Sequence, residues 1–516
     1  MSSRTERRLL ASAVGIVVIG CLALSRAVFD DVPHGGDAVA YAFQAKVFAS
    51  GRAAAPGTPI PECFWVDNVV NWTERRFCVY PPGWPLLFAP FVALGAPQLA
   101  NASLAGLAAL LVWILARRLI GPCEGWLALG LAILSPFFTF MGASTMAHMA
   151  CAAASLGMTV ALLRALDAEA PRARARWGAL SGAAAGVAIT IRPLSGALCG
   201  LGAVWIAAWI VRVPARRWLG VVLAALPPLA ASALLFALYN VRTTGSPLLL
   251  AYRLPEFDVS FLGERGMLRA SVWENLAANA PRFFRALNRE TWGWPFPDLW
   301  PLAALAILRP RDRRTWALIG AILLFLVGES CYHYFDLAFG PRLAFESLPW
   351  ILIATAFAFT SLFDAVGSRA RTVAWRGVLV GLLALQSIAG AVALYPKLAR
   401  YYSSIYCGHG PELARAVDER RIHDAIVFVD AERGREFAYG SLFLRNALDV
   451  GASDVIFARF VPELVAPMAA RFPRREYWLL RVAYEALPGR NTYADRFRIT
   501  RLDLNPIALA PAQGAP

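Results

Sequence analysis

Long apolar segments separated by short basic ones fill the first three quarters of the chain. An apolar stretch of about 17 to 25 residues is long enough to cross the hydrocarbon of a bilayer as a helix. We predict eleven such spans, some of them short, at 9–29, 99–116, 125–141, 146–163, 178–191, 194–211, 219–239, 297–308, 316–331, 343–363 and 373–395. The pattern predicts a polytopic α-helical membrane protein with a transmembrane domain over 1–396.

The arginines predict how these spans are oriented. Basic residues cluster at the N-terminus and then after every second span, at 117–118, 164–176, 212–217, 309–314 and 369–376. Short cytoplasmic loops collect Lys and Arg, so the N-terminus is expected in the cytoplasm. An odd number of spans then places the loops 30–97 and 241–296, and the C-terminal region, outside a cytoplasmic (inner) membrane.

The C-terminal region, 397–516, has an ordinary globular composition. Apolar runs at 423–429, 453–458 and 476–482 predict buried strands, and 461–472 has helical spacing. Strands that alternate with helices indicate a small α/β domain. It carries no glycine-rich phosphate loop and no nucleophile constellation, so we expect an accessory extracytoplasmic domain.

Composition supports the membrane assignment and removes one class of partner. Hydrophobic residues make up 58% of the 516 residues, and charged residues only 16%. The net charge of +15 is strongly basic, but the orientation of the spans accounts for much of it. We therefore expect no nucleic-acid partner.

One acidic residue directly after the first span is the leading candidate for chemistry. Asp37 follows Gly35-Gly36 and has no adjacent acid. Charge is expensive at the membrane, so an ionisable residue held there is a functional candidate by default.

The motifs around this acid resemble those of the GT-C superfamily, which comprises polytopic glycosyltransferases that use lipid-linked sugars. The closest resemblance is to bacterial relatives of the protein O-mannosyltransferases and to the lipid A aminoarabinose transferases. The matching pieces are Asp37 with Tyr41, Val79-Tyr80-Pro81-Pro82-Gly83, and Phe339-Gly340-Pro341-Arg342. The chain departs from the family pattern at Ala38, where a second acid is usual, and at Val79, where a lysine or similar residue is usual.

The resemblance implies an inverting transfer of a sugar from a polyprenyl-phosphate donor to a lipid, glycan or protein acceptor at the outer membrane face. Such a step needs a general base for the acceptor hydroxyl, and Asp37 is the candidate catalytic residue. The leaving phosphate needs cationic ligands, preferably arginine. The candidate substrate-binding residues are Lys46, Tyr80, His148, Arg192, Arg242, His333 and Arg342. Lys46 and Arg242 are equally well explained as cations that reach the membrane interface.

No cofactor is expected, and a divalent metal is possible but not favoured. A metal would require further oxygen ligands from the external loops, for which Glu256, Asp258 and Glu264 are candidates by position only. Cys63 and Cys78 lie on the same external loop, where a disulfide is plausible, but sequence alone leaves that pairing open.

Two other classes of function compete with the enzyme. A transporter or flippase of lipid-linked sugars would explain many spans and membrane-embedded charge, although its site is expected near the midplane between related halves. A non-catalytic scaffold would act through the C-terminal domain, which leaves Asp37, Arg192 and Arg342 without a role.

Overall fold

A computed structural model describes residues 3–254, 272–367, 373–403, 411–431, 438–486 and 493–502. Within these ranges, seven helices are long and apolar enough to cross a membrane. They are Arg4–Val28, Gln98–Leu119, His148–Asp167, Pro193–Ile210, Ala215–Thr244, Arg342–Ala365 and Gly381–Tyr402. The prediction of a multi-pass helical membrane protein is confirmed.

One further candidate span is sharply bent in the middle. Helices α5 (Pro122–Leu134) and α6 (Pro136–Ala143) qualify as a span only together, and they are bent by 63°. Ser135 between them is extended, because a residue before proline avoids the helical region. The Ser135 hydroxyl accepts a hydrogen bond from the backbone N–H of Phe138 and so caps α6.

The three remaining predicted spans are helices that do not meet the criteria for crossing alone. They are α8 (Pro171–Ile191), α12 (Trp300–Leu308) and α13 (Arg313–Ser330). At 9 residues, α12 is shorter than a bilayer is thick. The count of eleven spans therefore stays a prediction.

The helices that contain the seven spans, together with the additional helices α2, α3 and α11, complete the bundle. In chain order they are α1 (Ser3–Val28), α2 (Gly36–Ala49), α3 (Gly83–Ala93), α4 (Gln98–Leu119), α7 (His148–Asp167), α9 (Pro193–Ile210), α10 (Ala215–Thr244), α11 (Val272–Glu290), α14 (Leu348–Gly367) and α15 (Val373–Tyr402). A 3-10 helix, Arg342–Ser347, leads directly into α14.

The loop 30–97, which the sequence predicts to be external, holds a small antiparallel sheet beside α2. Its strands are β1 (Ala55–Pro56), β2 (Val69–Asn71) and β3 (Arg75–Cys78), in the order β1-β3-β2. The sheet is tied to α2 because the backbone N–H of Cys78 donates to the Gln44 side chain at 2.9 Å.

The C-terminal region contains a four-stranded sheet in the order β5-β4-β6-β7. The strands are β4 (Ala425–Ala431), β5 (Val455–Arg459), β6 (Glu476–Ala486) and β7 (Tyr493–Arg501). The first three are parallel to one another, and β7 is antiparallel to β6. Helices α16 (Glu412–Glu419), α17 (Ala438–Phe443) and α18 (Val465–Arg471) accompany the sheet.

This sheet packs against the loop 30–97. Cys63 and Phe64 are fully buried in one apolar cluster with Ile426 and Phe428 of β4. Cys78 belongs to the separate main core of the molecule, and both Cys63 and Cys78 are free thiols. A disulfide between Cys63 and Cys78, which the sequence neither established nor excluded, is therefore not formed in this structure.

Candidate active site

A cavity of about 650 Å³ collects most of the residues that the sequence singled out. Six of the eight predicted site residues line it: Asp37, Tyr80, His148, Arg192, His333 and Arg342. A space of this size is in the range that binds small molecules.

Asp37 lies in the first turn of α2, at one edge of the cavity. Two side chains of the neighbouring loop approach closely there, since a Cβ on Gly36 would lie only 3.0 Å from the Cβ of Asp67 and 3.3 Å from the side-chain amide nitrogen of Asn68. Asn68 uses that amide to donate to Asp37 Oδ1 at 3.0 Å. Glycine at 36 therefore lets the loop come close enough to hold the carboxylate.

Two further donors complete the surroundings of the Asp37 carboxylate. The Tyr80 hydroxyl donates to Oδ1 at 2.5 Å, and Arg342 Nη1 donates to Oδ2 at 2.7 Å. A carboxylate offers about four lone-pair positions, so the three donors leave one position free on Oδ2. The Asp37 side chain is 20% exposed, which leaves it accessible from the cavity.

Arg342 is held between two carboxylates. Its Nη2 lies 2.8 Å from Asp336 Oδ2, while Nη1 contacts Asp37. The preceding turn contains Gly340 at φ 105°, a conformation that favours glycine. A Cβ at that position would also lie 2.4 Å from the Phe137 ring. The Gly340-Pro341-Arg342 motif thus places the buried Arg342 side chain against the Asp37 carboxylate.

Arg192 reaches the cavity from the junction of α8 and α9. Pro193 starts α9 and leaves Arg192 extended between the two helices. Arg192 Nε lies 3.0 Å from the Ser195 hydroxyl and 3.1 Å from Glu346 Oε1. Arg192 Nη1 lies 3.2 Å from His148 Nε2. Consecutive helix ends thus place a second cation beside the cavity.

Two buried acids near Arg192 were not among the predicted site residues. Glu329 and Glu346 are each 1% exposed, and Ser195 donates its hydroxyl to Glu329 at 2.5 Å. Both lie in predicted apolar spans, where an ionisable residue is itself a signal of function. That signal could have identified them from the sequence. Asn68 and Asp336 carried no such signal, since their role depends on contacts between distant segments.

Aromatic rings form another wall of the cavity. The Tyr41 and Tyr80 rings have centroids 4.7 Å apart, and Tyr252 lies edge-on to Tyr80 at 5.9 Å. Burial, and then the negative charge of Asp37, hold the pKa of Tyr80 well above its ordinary value of 10. Tyr80 therefore stays a protonated donor to Asp37 at neutral pH.

The positions that depart from the family pattern are apolar and enclosed. Ala38 is 1% exposed in the core, so the place of the usual second acid faces packed side chains. Val79 is 4% exposed and lines the cavity where a lysine or similar residue is usual.

Lys46 and Arg242 lie away from the cavity. Lys46 Nζ donates to the backbone carbonyls of Leu444 at 3.1 Å and Asn446 at 2.7 Å. A helix rises about 1.5 Å per residue, so nine residues separate Lys46 from Asp37 by most of the length of α2. Arg242 has an exposed side chain near the end of α10.

The described residues contain no group of three or more His, Cys, Asp or Glu side chains arranged to hold a metal ion. The adjacent acids Asp30 and Asp31 follow the first predicted span, and Asp31 accepts hydrogen bonds from Arg26 and Ser25. Glu256, Asp258 and Glu264, the other candidates by position, lie outside the described residues.

The fold is similar to that of two transferases of known structure, in agreement with the resemblance that the sequence motifs predicted. The chain has a TM-score of 0.59 to the crystal structure of ArnT, a lipid A aminoarabinose transferase, from Cupriavidus metallidurans in the apo state, with 17% identity over 92% of this chain and 93% of that one. The same enzyme bound to undecaprenyl phosphate gives 0.57, with 15% identity over 95% and 98% of the two chains.

A second solved protein has a related fold. The Archaeoglobus fulgidus oligosaccharyltransferase in the apo form has a TM-score of 0.51 and 15% identity, over 91% of this chain and 69% of that one. At the level of sequence alone, no family model and no curated protein matches the chain. The likeness therefore concerns the fold.

Proposed function

We propose that the protein is an inverting glycosyltransferase that moves a sugar from a polyprenyl-phosphate donor to an acceptor hydroxyl. The observation that carries the proposal is one cavity with a reachable carboxylate, Asp37, and two arginines, Arg192 and Arg342. The fold, shared with an enzyme solved with undecaprenyl phosphate, supports it.

The base assignment follows from the hydrogen bonds around Asp37. Tyr80 and Asn68 occupy Oδ1, so the remaining position on Oδ2 is where an acceptor hydroxyl would bind. As Asp37 removes the hydroxyl proton, the acceptor oxygen attacks the anomeric carbon. The bond from that carbon to the phosphate oxygen breaks with its electron pair, and polyprenyl phosphate leaves as the anion.

The two arginines are the proposed phosphate ligands. Arginine presents several N–H donors in a planar fork that matches phosphate oxygens. Arg342 is the leading ligand and also holds Asp37, so a phosphate that draws Arg342 toward itself would loosen its contact with the base. Donor binding and base activation would then be linked.

The remaining cavity groups are proposed to orient the sugar and its phosphate. His148 contacts Arg192, and His333 lies against the Tyr332 ring with centroids 4.4 Å apart. Both line the cavity and can hydrogen-bond hydroxyl groups. The proposed mechanism is metal-independent, and the site is proposed to open toward the outer face of the cytoplasmic membrane.

The direct test is a transfer assay. Detergent-purified full-length protein is incubated with a panel of polyprenyl-phosphate sugars and a membrane extract that supplies lipid, glycan and protein acceptors, and products are followed by mass spectrometry. Transfer of a sugar from one donor supports the proposal and identifies the donor and the acceptor. No transfer from any donor, together with protein-dependent movement of a lipid-linked sugar across vesicles, would favour a flippase instead.

A further inference from the structure

A separate cavity of about 520 Å³ lies where α9 ends and α13 begins. We call it the arginine cavity. Its lining residues come from the end of α9, the connection to α10, the first turn of α10 and the start of α13: Ala208, Val211, Arg212, Val213, Trp218 and Arg313. None of these residues lines the active-site cavity. The arginine cavity is therefore distinct from the candidate active site.

The two cavities lie at opposite ends of the same two helices. On α9, Pro193 lines the active-site cavity and Ala208 lines the arginine cavity. On α13, Glu329 and Arg313 do the same. A helix rises about 1.5 Å per residue, so the two cavities are about 22 to 24 Å apart along either helix. The hydrocarbon of a bilayer is about 30 Å thick. The arginine cavity therefore lies toward the other membrane face, which the basic segments predict to be cytoplasmic.

Two arginine side chains give this cavity its charge. Arg212 and Arg313 are both exposed, and neither forms an ion pair with a carboxylate within the part of the chain that the structure describes. The adjacent Arg314 differs, since it is paired with Asp312 at 2.6 Å. The Arg313 guanidinium lies 5.8 Å from the centre of the Trp209 ring, a cation–π contact that does not occupy its N–H donors. The cavity thus carries two positive charges that the described residues do not neutralise.

The other walls of the cavity are apolar and lie beside the surface that faces the bilayer. Ala208, Val211 and Val213 form an aliphatic wall, and Trp218 contributes an aromatic ring. Tryptophan favours the depth at which lipid headgroups meet the hydrocarbon. Only 6% of the apolar window of α10 is buried inside the protein, and Leu219, next to Trp218, is 59% exposed. The two arginines therefore lie where a lipid headgroup would meet an apolar surface.

We propose that the arginine cavity binds the headgroup of an anionic phospholipid from the cytoplasmic leaflet. The planar fork of arginine matches phosphate oxygens, and basic pockets between helices on the cytoplasmic side suit anionic headgroups. The acyl chains would lie along α9 and α10, where Leu201 and Leu223 are each 57% exposed. A soluble anion would leave these apolar surfaces uncovered. The inference is independent of the proposed function, because no residue of the arginine cavity takes part in the transfer.

The test compares two double variants that remove the same charge from the same two segments. Arg212→Gln with Arg313→Gln removes the arginines of the cavity, whereas Arg216→Gln with Arg311→Gln removes two exposed arginines that do not line it. Phosphatidylglycerol is titrated into the detergent-solubilised full-length protein, and binding is measured by native mass spectrometry. The cavity variant is expected to lose affinity by about tenfold to thirtyfold. The control variant is expected to stay within about threefold of the wild type, because exposed charges outside the cavity are screened.

The specificity of the site is tested on the wild-type protein. Phosphatidylcholine, which has the same phosphate but no net charge, is expected to bind more weakly than phosphatidylglycerol. Water-soluble glycerol 3-phosphate is expected not to displace the bound lipid. Equal affinity in the two double variants, equal binding of phosphatidylcholine, or full displacement by glycerol 3-phosphate would overturn the proposal.

Photolabelling covers the case in which the cavity variant does not fold. Phosphatidylglycerol with a diazirine near its glycerol is photolysed on the wild-type protein, and the labelled peptides are sequenced. Labels are expected on residues 208–218 and on the first turn of α13. Their absence from both segments would overturn the assignment of the lipid to this cavity.

Discussion

Tyr80 and Asp37 are joined by a short hydrogen bond of 2.5 Å in the candidate site. The raised pKa of Tyr80 means that its neutral, donating form persists above pH 10. The sign follows from its charge: a phenol ionises by losing a proton, so a higher pKa keeps it protonated to more alkaline pH. Ionisation of Tyr80 should not limit activity in an ordinary assay range.

Tyr80→Phe is expected to lower kcat about tenfold, because one neutral hydrogen bond that orients the base is lost. The pH dependence of kcat between pH 7 and 9.5 should keep the same shape in both proteins. A fall in the wild-type rate toward pH 9.5 that is absent in Tyr80→Phe would contradict the assignment.

Arg342 has two roles in this account, and Arg192 has one. Arg342→Ala is expected to weaken donor binding and also to lower kcat, each by about tenfold to a hundredfold, since it removes charge-assisted hydrogen bonds to the phosphate and to Asp37. Arg192→Ala should mainly weaken donor binding.

Initial-rate kinetics over a range of donor concentrations separate these effects. Arg253→Ala is the matched control, since Arg253 is exposed beside Tyr252 but does not line the cavity. A pure KM effect in Arg342→Ala would show that Arg342 does not act on the base.

At the scale of single residues, the sequence identified three charged residues of the cavity but missed the buried acids Glu329 and Glu346. Asp37, Arg192 and Arg342 were predicted because a charged side chain near a membrane is energetically costly and is therefore a functional candidate. Asn68 and Asp336 were missed because their contacts join loops that are far apart in the chain. The placement of Lys46 depends likewise on residues 444–446, some 400 positions away.

Among the elements, α2 connects the candidate base to the C-terminal region. Asp37 lies in its first turn, and Lys46 in its last turn donates to two carbonyls beyond α17. The Phe43 and Phe443 rings pack between them with centroids 5.2 Å apart. Burial, and then the nearby Arg76, lower the pKa of Lys46, yet a neutral amine still donates. This contact should therefore survive mildly alkaline pH.

Lys46→Met is expected to lower kcat several-fold while leaving the KM for the donor unchanged. The substitution removes the hydrogen bonds that join α2 to the C-terminal region, but it does not alter the proposed phosphate ligands. Limited proteolysis should also cut faster between the membrane region and the C-terminal sheet. Lys397→Met, at an exposed position on α15, is the control. A raised KM with unchanged kcat would instead indicate that Lys46 binds the donor.

Helices and strands were predictable from the sequence where a single pattern of apolar residues was dominant. The predicted strands at 423–429, 453–458 and 476–482 coincide with β4, β5 and most of β6. Periodicity did not reveal the bend at Ser135, which interrupts an otherwise continuous apolar run. Nor did it distinguish the short α12 from a full span.

For the whole molecule, the basic segments predict that the N-terminus is cytoplasmic and that the loop carrying Asp37 is outside. A membrane-impermeant maleimide on intact cells should label Leu94→Cys, a 79% exposed position in the loop predicted to be external, and not the exposed native Cys123. Peptide mass spectrometry identifies the labelled thiol. Labelling of Cys123 alone would show that the protein has the opposite orientation, with the candidate site facing the cytoplasm.

The overall architecture was predictable because apolar length and three short motifs point to the same fold. The composition of the cavity wall was not, since Leu250 and Arg192 line the same space only because distant segments pack together. Sequence patterns describe which faces are apolar, whereas the wall of a cavity depends on how the helices come together.

The most direct test of the central claim is single-turnover transfer by Asp37→Asn, measured with undecaprenyl phosphate binding on the same preparation. Asparagine keeps the shape of the side chain but cannot accept the acceptor proton, so transfer should fall by about a hundredfold to ten-thousandfold while binding is retained. A transfer rate within about tenfold of the wild type would contradict the role of Asp37 as the base.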